Sequence, residues 1–316
     1  MKPFAFVFPG QGSQSVGMLD AWGDHPAVAQ TLQEASDALG EDVGRLIHEG
    51  PAEALALTTN TQPVMLVAGV AAYRAWQAEG GAEPAVMAGH SLGEYTALVA
   101  AGALTLADAA PLVRFRAQAM QEAVPVGTGA MAAILGLDAQ KVIEGCAEAV
   151  RGFGTNTAEV VEAANFNDPV QTVIAGSKAA VDKACELLKG MGAKRALPLP
   201  VSAPFHSSLM KPAAEKLRER LAATALRSPR IPVVNNIEVK VETDPDRIRA
   251  ALYEQAFGPV RWVECVRAIQ ARGATTIVEC GPGRVLAALV RRIDRTLAAA
   301  GLHDPATLAE VKGLLQ

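Results

Sequence analysis

The sequence predicts an α/β protein in two parts, a large parallel-sheet domain and a smaller ferredoxin-like unit set into it. Three observations carry the prediction. Short apolar runs at Phe4 to Phe8, Ala85 to Gly89 and Thr275 to Cys280 each end in a Gly-containing turn and alternate with stretches of helical periodicity, as buried parallel strands do. The run from Ala85 to Tyr95 breaks into Gly-His-Ser-Leu-Gly and passes at once into an Ala-rich helical pattern. That context of strand, sharp turn and helix belongs to a nucleophile elbow and makes the large domain α/β-hydrolase-like. Between residues 128 and 200 the elements follow the order βαββαβ. The expected division is 1–127 with 201–316 for the large domain and 128–200 for the insert.

Composition narrows the function classes. Of 316 residues 50% are hydrophobic and 20% charged, which suits a substantial core and argues against disorder. A net charge of −4, from 29 basic against 33 acidic residues, lacks the basic surface that nucleic acid requires, so an anionic partner must meet a local patch. No run reaches the roughly 18 apolar residues of a membrane span, and Phe4 to Phe8 enters Pro9-Gly10 without a basic leader; a cytoplasmic protein off the membrane is expected. Cysteines 146, 185, 265 and 280 form no CxxC pair and read as small buried residues in a reducing compartment. Histidines 25, 48, 90, 206 and 303 form no HxH or HExxH arrangement, so neither a metal nor another cofactor is expected.

In chain order, Phe4 to Phe8 is a first buried strand leaving through Pro9-Gly10-Gln11-Gly12-Ser13. Helices are expected from His25 to Leu39, from Thr61 to Glu79 with Pro63 in the first turn, from Leu92 to about Ala101, and from Thr105 or Leu106 to Glu122. The last carries Arg114 and Arg116; residues two apart on a helix point to different sides, so one arginine faces inward and the other solvent. In the insert, strands at Met131 to Gly136, Val160 to Ala164, Thr172 to Ala175 and Arg195 to Leu199 flank two helices, the first capped by Asp138. A Pro-rich return leads to Phe205-His206 and a helix from Ser207 to about Ala223. Ile231 to Ile237 and Thr275 to Cys280 are further strands, and the Ala-rich, polar tail beyond Arg295 is expected to be loosely attached.

Ser91 is the centre of the elbow. Gly89 and Gly93 flank it where side chains would collide with neighbouring backbone, and the N–H of Leu92, backed by the helix N-terminus, would face an oxyanion. An ordinary N-cap serine explains the same residue. If the first strand lies beside the one ending at Gly89, the Gln11 loop opens at the same carboxyl edge and Gln11 supplies a second N–H; a plain Gly-rich turn is the alternative. Serine needs a base. His90 adjoins Ser91, but consecutive residues project apart; His25 and His48 sit among polar helix residues and His303 in the tail. His206, in a loop re-entering the large domain, is the best base available, although a structural histidine would look the same.

These residues fall into a recognisable set. The stretches Phe8 to Gln14, Gly89 to Tyr95, Arg116 with Met120 to Pro125, Ala203 to Ser207, Tyr253 to Gln255 with Pro259 to Trp262, and Glu279 to Gly283 resemble, in order and spacing, those of malonyl-CoA:acyl carrier protein transacylases. The resemblance covers nearly the whole chain. It implies a dyad of Ser91 and His206, an oxyanion hole from the N–H groups of Gln11 and Leu92, and Arg116 as ligand for the malonyl carboxylate. It also implies that the backbone carbonyl of Gln255 orients the histidine and that Phe205 limits room at the acyl α-carbon. Malonyl-CoA and an acidic acyl carrier protein are then the partners of a monomer. Docking candidates are Lys183, Lys189, Lys194 and Arg195 in the insert and Lys211, Lys216, Arg218 and Arg220 after His206.

Other readings share parts of this pattern. A serine thioesterase or esterase of α/β-hydrolase type would place an acid between Ser and His in chain order, and Asp108, Asp138, Asp168 and Asp182 lie there; such an enzyme has no evident use for Arg116. A non-enzymatic binding module would not need Ser91 and His206 together. A transacylase domain cut from a larger synthase is disfavoured by the lack of any linker.

Overall fold

The computed structural model describes residues 2–201 and 203–316; Met1 and Ser202, which the expected segments 1–127 and 201–316 include, lie outside these. In chain order β1 (Phe4–Phe8) leads to α1 (Pro26–Leu39), two short helices, α2 (Val43–Glu49) and α3 (Ala52–Ala56), and the long α4 (Thr58–Ala78). β2 (Val86–Gly89) turns into α5 (Leu92–Ala100), and α6 (Leu106–Glu122) follows. Next come β3 (Gly129–Leu135), α7 (Ala139–Arg151), β4 (Val161–Asp168), β5 (Gln171–Ser177), α8 (Lys178–Gly190) and β6 (Arg195–Pro198). The chain closes with α9 (Lys211–Ala223), β7 (Val233–Val234), α10 (Pro245–Gln255), α11 (Trp262–Ala271), β8 (Thr276–Cys280), α12 (Val285–Ile293), β9 (Ala298–Leu302) and α13 (Pro305–Leu315).

One sheet has the order β7-β2-β1-β8-β9, every adjacent pair parallel. β1 is central and must bury both faces, which is why its run is apolar throughout. Its alternation still sorts the faces: Phe4, Phe6 and Phe8 enter the larger core, under α1, α4, α5, α6 and α9, while Ala5 and Val7 enter a second core with α11 and α12. Phe4 and Phe6 meet Trp76 of α4 edge to face at 6.2 and 5.5 Å, and Phe6 meets Tyr73 at 5.8 Å. Removing the fully buried Trp76 indole would cost about 3–5 kcal/mol.

The other sheet is antiparallel, order β4-β5-β3-β6, with α7 and α8 packed on one face around Val142, Cys146, Val181 and Leu188. Asp138 caps α7 by accepting from the N–H of Lys141, as the sequence indicates. The opposite face, Met131, Ala133, Val173 and Ala175, meets Leu199, Val201 and Phe205. β4 is fastened to the large part: Phe166 N–H donates to the Val260 carbonyl and Val260 N–H to that of Ala164, both at 2.9 Å. Asp168 adds an ion pair to Arg292 of α12 at 2.8 Å.

Three expectations need correction, and two helices were not expected. The tail is not loose: β9 pairs with β8 from Thr276↔Ala298 to Cys280↔Leu302, and α13 buries Leu308, Val311 and Leu315. A parallel edge strand is held by backbone hydrogen bonds, so alanines suffice there, and a capping box between Asp304 and Thr307 starts the helix. The strand expected over Ile231 to Ile237 shrinks to Val233–Val234, because Asn235 Oδ1 accepts from the N–H groups of Glu238 and Val239 and turns the chain. α4 begins at Thr58, which puts Pro63 in the second turn instead of the first. α2 and α3, too short to show a period, had no counterpart in the sequence reading.

Candidate active site

β1 and β2 run side by side with Phe8 opposite Gly89, so the Gln11 loop and the Ser91 turn leave the sheet at the same carboxyl edge. Ser91 has φ 53° and ψ −109°, a strained conformation for a residue with a side chain. The flanking glycines make the turn sterically feasible. A Cβ on Gly89 would lie 1.8 Å from the Gly93 carbonyl carbon, and one on Gly93 2.0 Å from the Phe8 oxygen. The Ser91 side chain makes no capping bond to α5, which removes the ordinary N-cap explanation.

Instead Ser91 Oγ lies 2.7 Å from His206 Nε2. On the other side of the imidazole Nδ1 faces two carbonyl oxygens, those of Gln255 at 2.9 Å and Gly258 at 3.2 Å. Carbonyls only accept, so Nδ1 carries the hydrogen and Nε2 presents its lone pair to the serine O–H. Burial, then the neighbouring Arg116 charge, pushes the His206 imidazole down to about 3, so the resting base is neutral. No carboxylate touches His206 among the described residues. Asp108 bonds within the α6 cap, Asp138 caps α7, Asp182 pairs with Lys178 and Asp168 with Arg292, so none supplies a triad acid.

Arg116 is 2% exposed and points into the same space. Its Nη1 donates to Gln62 Oε1 at 2.6 Å, and its Nη2 to Ser91 Oγ and Gln255 Oε1, each at 3.1 Å. Nε is buried without a partner among the described residues. Arg114, two positions earlier, turns away to Glu41, as helix geometry requires. A cavity of about 140 Å³ brings these groups together; Gln11, Leu92 and Phe205 line it beside Ser91, His206 and Arg116, and Met131 and Asn165 of the antiparallel sheet close it with Leu199, which follows β6. Gln11 accepts a hydrogen bond from Thr58 at 2.7 Å through its side chain.

The remaining histidines are occupied elsewhere. His90 Nε2 lies 2.8 Å from Asn167 Oδ1, and its ring packs on Trp262. His25 caps α1, His48 pairs with Asp20 and His303 with Asp304. No group of three or more His, Cys, Asp or Glu among the described residues is placed to hold a metal. Sequence reasoning missed Gln62, Glu94 and Asn236. Glu94 carried a signal: it is the lone charge in the apolar helix Leu-Gly-Glu-Tyr-Thr-Ala-Leu-Val-Ala, and it is 2% exposed. Burial pushes its carboxyl up to about 7 against the pull of Gln255, Asn236 and Arg116.

An elbow serine bonded to a histidine on an α/β fold, with a buried arginine against the same oxygen, defines a protein of the acyltransferase class. The description "Acyl transferase domain" fits residues 5–315, and the chain belongs to that family. It is 54% identical over 310 residues to the malonyl CoA-acyl carrier protein transacylase of Escherichia coli, covering 98% of each. It is similar to the acyl-carrier-protein S-malonyltransferase of Burkholderia pseudomallei 1710b, with a TM-score of 0.95 and 65% identity over 98% of this chain and 99% of that one. A malonyl-transacylase solved in complex with its type II PKS acyl-carrier protein is similar at a TM-score of 0.94 and 50% identity, over 98% of both chains. Among the described residues no helix is long and apolar enough to cross a membrane.

Proposed function

We propose that this protein transfers the malonyl group from malonyl-CoA to the phosphopantetheine thiol of an acyl carrier protein through a malonyl ester on Ser91. The observation that carries the reading is the buried Arg116 guanidinium 3.1 Å from Ser91 Oγ, a cation with a use only if the acyl group brings a second, charged end. In the first half-reaction Ser91 Oγ attacks the thioester carbonyl as its proton passes to His206 Nε2. The N–H groups of Gln11 and Leu92 take the oxyanion, and collapse releases the CoA thiolate, which leaves with the proton held by His206. In the second the carrier thiol gives its proton to His206, attacks the ester and departs as malonyl thioester, and the proton returns to Ser91.

The charges fit that course. A positive Arg116 beside His206 opposes imidazolium formation, and a malonyl carboxylate paired with the guanidinium removes that opposition. Gln255 and Gly258 carbonyls fill the place of a triad acid. Residues 128–200 act as one subdomain, since among the described residues β3 to β6 pair as strands only with one another, apart from the bridge of Asn165 to Val260. A cytoplasmic, monomeric enzyme accords with both substrates being soluble.

Intact-mass analysis tests the reading. Mixing with malonyl-CoA should add one malonyl group to wild type and none to Ser91→Ala, and acyl carrier protein should discharge the adduct. His206→Ala should form it far more slowly. Discharge by water as fast as by carrier would make the protein a thioesterase, and an adduct on Ser91→Ala would remove the nucleophile assignment.

A further inference from the structure

Glu94 stands at N3 of α5, where a carboxylate usually reaches back to the N-cap N–H in a capping box. Here that N–H is already taken: Ser91 N–H donates to Asn236 Oδ1 at 2.7 Å. Glu94 Oε2 instead accepts two hydrogen bonds, from Asn236 N–H and from Gln255 Nε2, each at 2.9 Å. The second bond commits the Gln255 side-chain amide to one orientation, and the first holds the main chain from which the Asn236 side chain projects. Asn236 Nδ2 donates to the Gly89 carbonyl at 2.7 Å, so Asn236 grips the elbow at both Gly89 and Ser91. Gln255 Nε2 uses its second hydrogen on the Ser91 carbonyl at 3.0 Å, and Gln255 Oε1 receives the Arg116 Nη2 bond at 3.1 Å. The Ser91 backbone is thus bonded through both its N–H and its carbonyl, and the guanidinium hangs on the amide that holds the carbonyl.

We propose that Glu94 is a positioning residue for both halves of the site: through Asn236 it holds the strained Ser91 turn, and through Gln255 it fixes the Arg116 guanidinium at a set distance from that turn. The inference rests on the acyl-transfer reading above and adds to it a single anchor for nucleophile and carboxylate ligand. A serine at φ 53° relaxes unless its neighbours hold it, and a guanidinium on a long side chain loses its place when one of its acceptors is free to rotate. Glu94, Gln255 and Asn236 are 2%, 0% and 0% exposed, so water does not compete for these bonds. Glu94 does not bond the serine hydroxyl; its effect travels through the Asn236 main chain and the Gln255 side chain.

The experiment compares wild type with Glu94→Ala and Glu94→Gln in single-turnover acylation by malonyl-CoA and by acetyl-CoA, with circular dichroism to establish folding. Both bonds land on one oxygen, so Glu94→Gln keeps an acceptor there and should stay within roughly threefold of wild type. Glu94→Ala should lose about 10- to 100-fold in the malonyl rate at saturation, the scale of an ångström of misplacement, with little change in KM, and its ratio of malonyl to acetyl transfer should fall. If Glu94→Ala does not fold, Gln255→Leu serves: it leaves the main-chain carbonyl on His206 Nδ1 but removes the side chain that ties Arg116 to the Ser91 carbonyl, and the same ratio should fall. Wild-type rates and ratios in Glu94→Ala, or in Gln255→Leu, overturn the inference. So does a Glu94→Gln protein as impaired as Glu94→Ala, because charge and not position would then be what matters. A wild type that forms no malonyl ester on Ser91 removes the acyl-transfer reading itself, a separate outcome read from the same samples.

Discussion

Replacing Arg116 by alanine should change which acyl group the enzyme prefers. Arg116 is the only arginine or lysine lining the cavity among the described residues, and its Nη2 already lies 3.1 Å from Ser91 Oγ, so a malonyl group esterified there has its carboxylate within reach of the fork. Two charge-assisted hydrogen bonds to that carboxylate contribute about 1.5–3 kcal/mol each, or roughly 10²- to 10⁴-fold in kcat/KM for malonyl-CoA. Acetyl-CoA makes neither bond and in wild type leaves the guanidinium facing an apolar methyl, so its transfer should hold or rise in Arg116→Ala. The ratio of malonyl to acetyl transfer should therefore drop by about 10²- to 10⁴-fold. Arg116→Lys should recover only a minor part, since an ammonium cannot reproduce a two-point contact with both carboxylate oxygens. The assay is acyl-enzyme formation from each donor below saturation, with thermal melting to register the loss of partners on Gln62 and Gln255. An unchanged ratio in a folded Arg116→Ala protein would refute the reasoning, because Arg114 is committed to Glu41 outside the cavity and leaves no second guanidinium to take over.

Four further outcomes are expected. The Glu94 carboxyl, raised from the usual 4.5 to about 7, holds a proton in the folded state that the unfolded chain gives up, so its contribution to stability is full below pH 4.5 and is lost as pH rises through 7; Glu94→Gln should escape this loss and gain on wild type by up to about 3 kcal/mol by pH 8, read as the difference in melting across pH. The His206 imidazole, lowered from 6.5 to about 3, acts in the opposite sense: its contribution is full above pH 6.5 and is lost as pH falls toward 3, so wild type should lose its stability relative to His206→Ala over that range. Phe205, half-buried and lining the cavity beside the base, should limit the acyl α-carbon, and Phe205→Ser should raise methylmalonyl-CoA use relative to malonyl-CoA by at most roughly 10- to 200-fold; no change in the ratio would assign the ring to the core. Lys216 and Arg218 are already paired with Glu122 and Glu215, so reversing Lys189, Lys194 and Arg195 should raise KM for an acidic carrier more than reversing the α9 cations, with KM for malonyl-CoA unmoved; equal effects on both substrates would count against a docking patch.

What the sequence made legible follows the range of the forces involved. The elbow was readable because its requirement is local: Gly89 and Gly93 are demanded by contacts with backbone within a few residues or across one strand pair, and the apolar run before them needs no distant information. The order βαββαβ was readable for the same reason, since each element announces its own period. His206 and Arg116 were harder, being brought to Ser91 across 115 and 25 residues, and they stood out through the family resemblance more than through any pattern of their own. The tail was misread because alanine gives no periodic signal, while β9 is held by a ladder that β8 supplies.

Glu94 marks the limit of such reading. Its two bonds cross 142 and 161 residues, to the backbone N–H of Asn236 and the side chain of Gln255, residues that look like surface polar groups in sequence. Yet a lone carboxylate at N3 of an otherwise apolar helix is a contradiction that local rules expose: an acid there is cheap only if exposed, and this helix is buried along nearly its whole length. The contradiction resolves when the Asn236 backbone N–H and the Gln255 side-chain amide supply hydrogen bonds to the buried carboxyl, and in this fold Asn236 holds the elbow and Gln255 the guanidinium. A residue that burial alone makes costly is retained where its hydrogen bonds hold strained geometry in place, and here that geometry is the Ser91 turn at φ 53°.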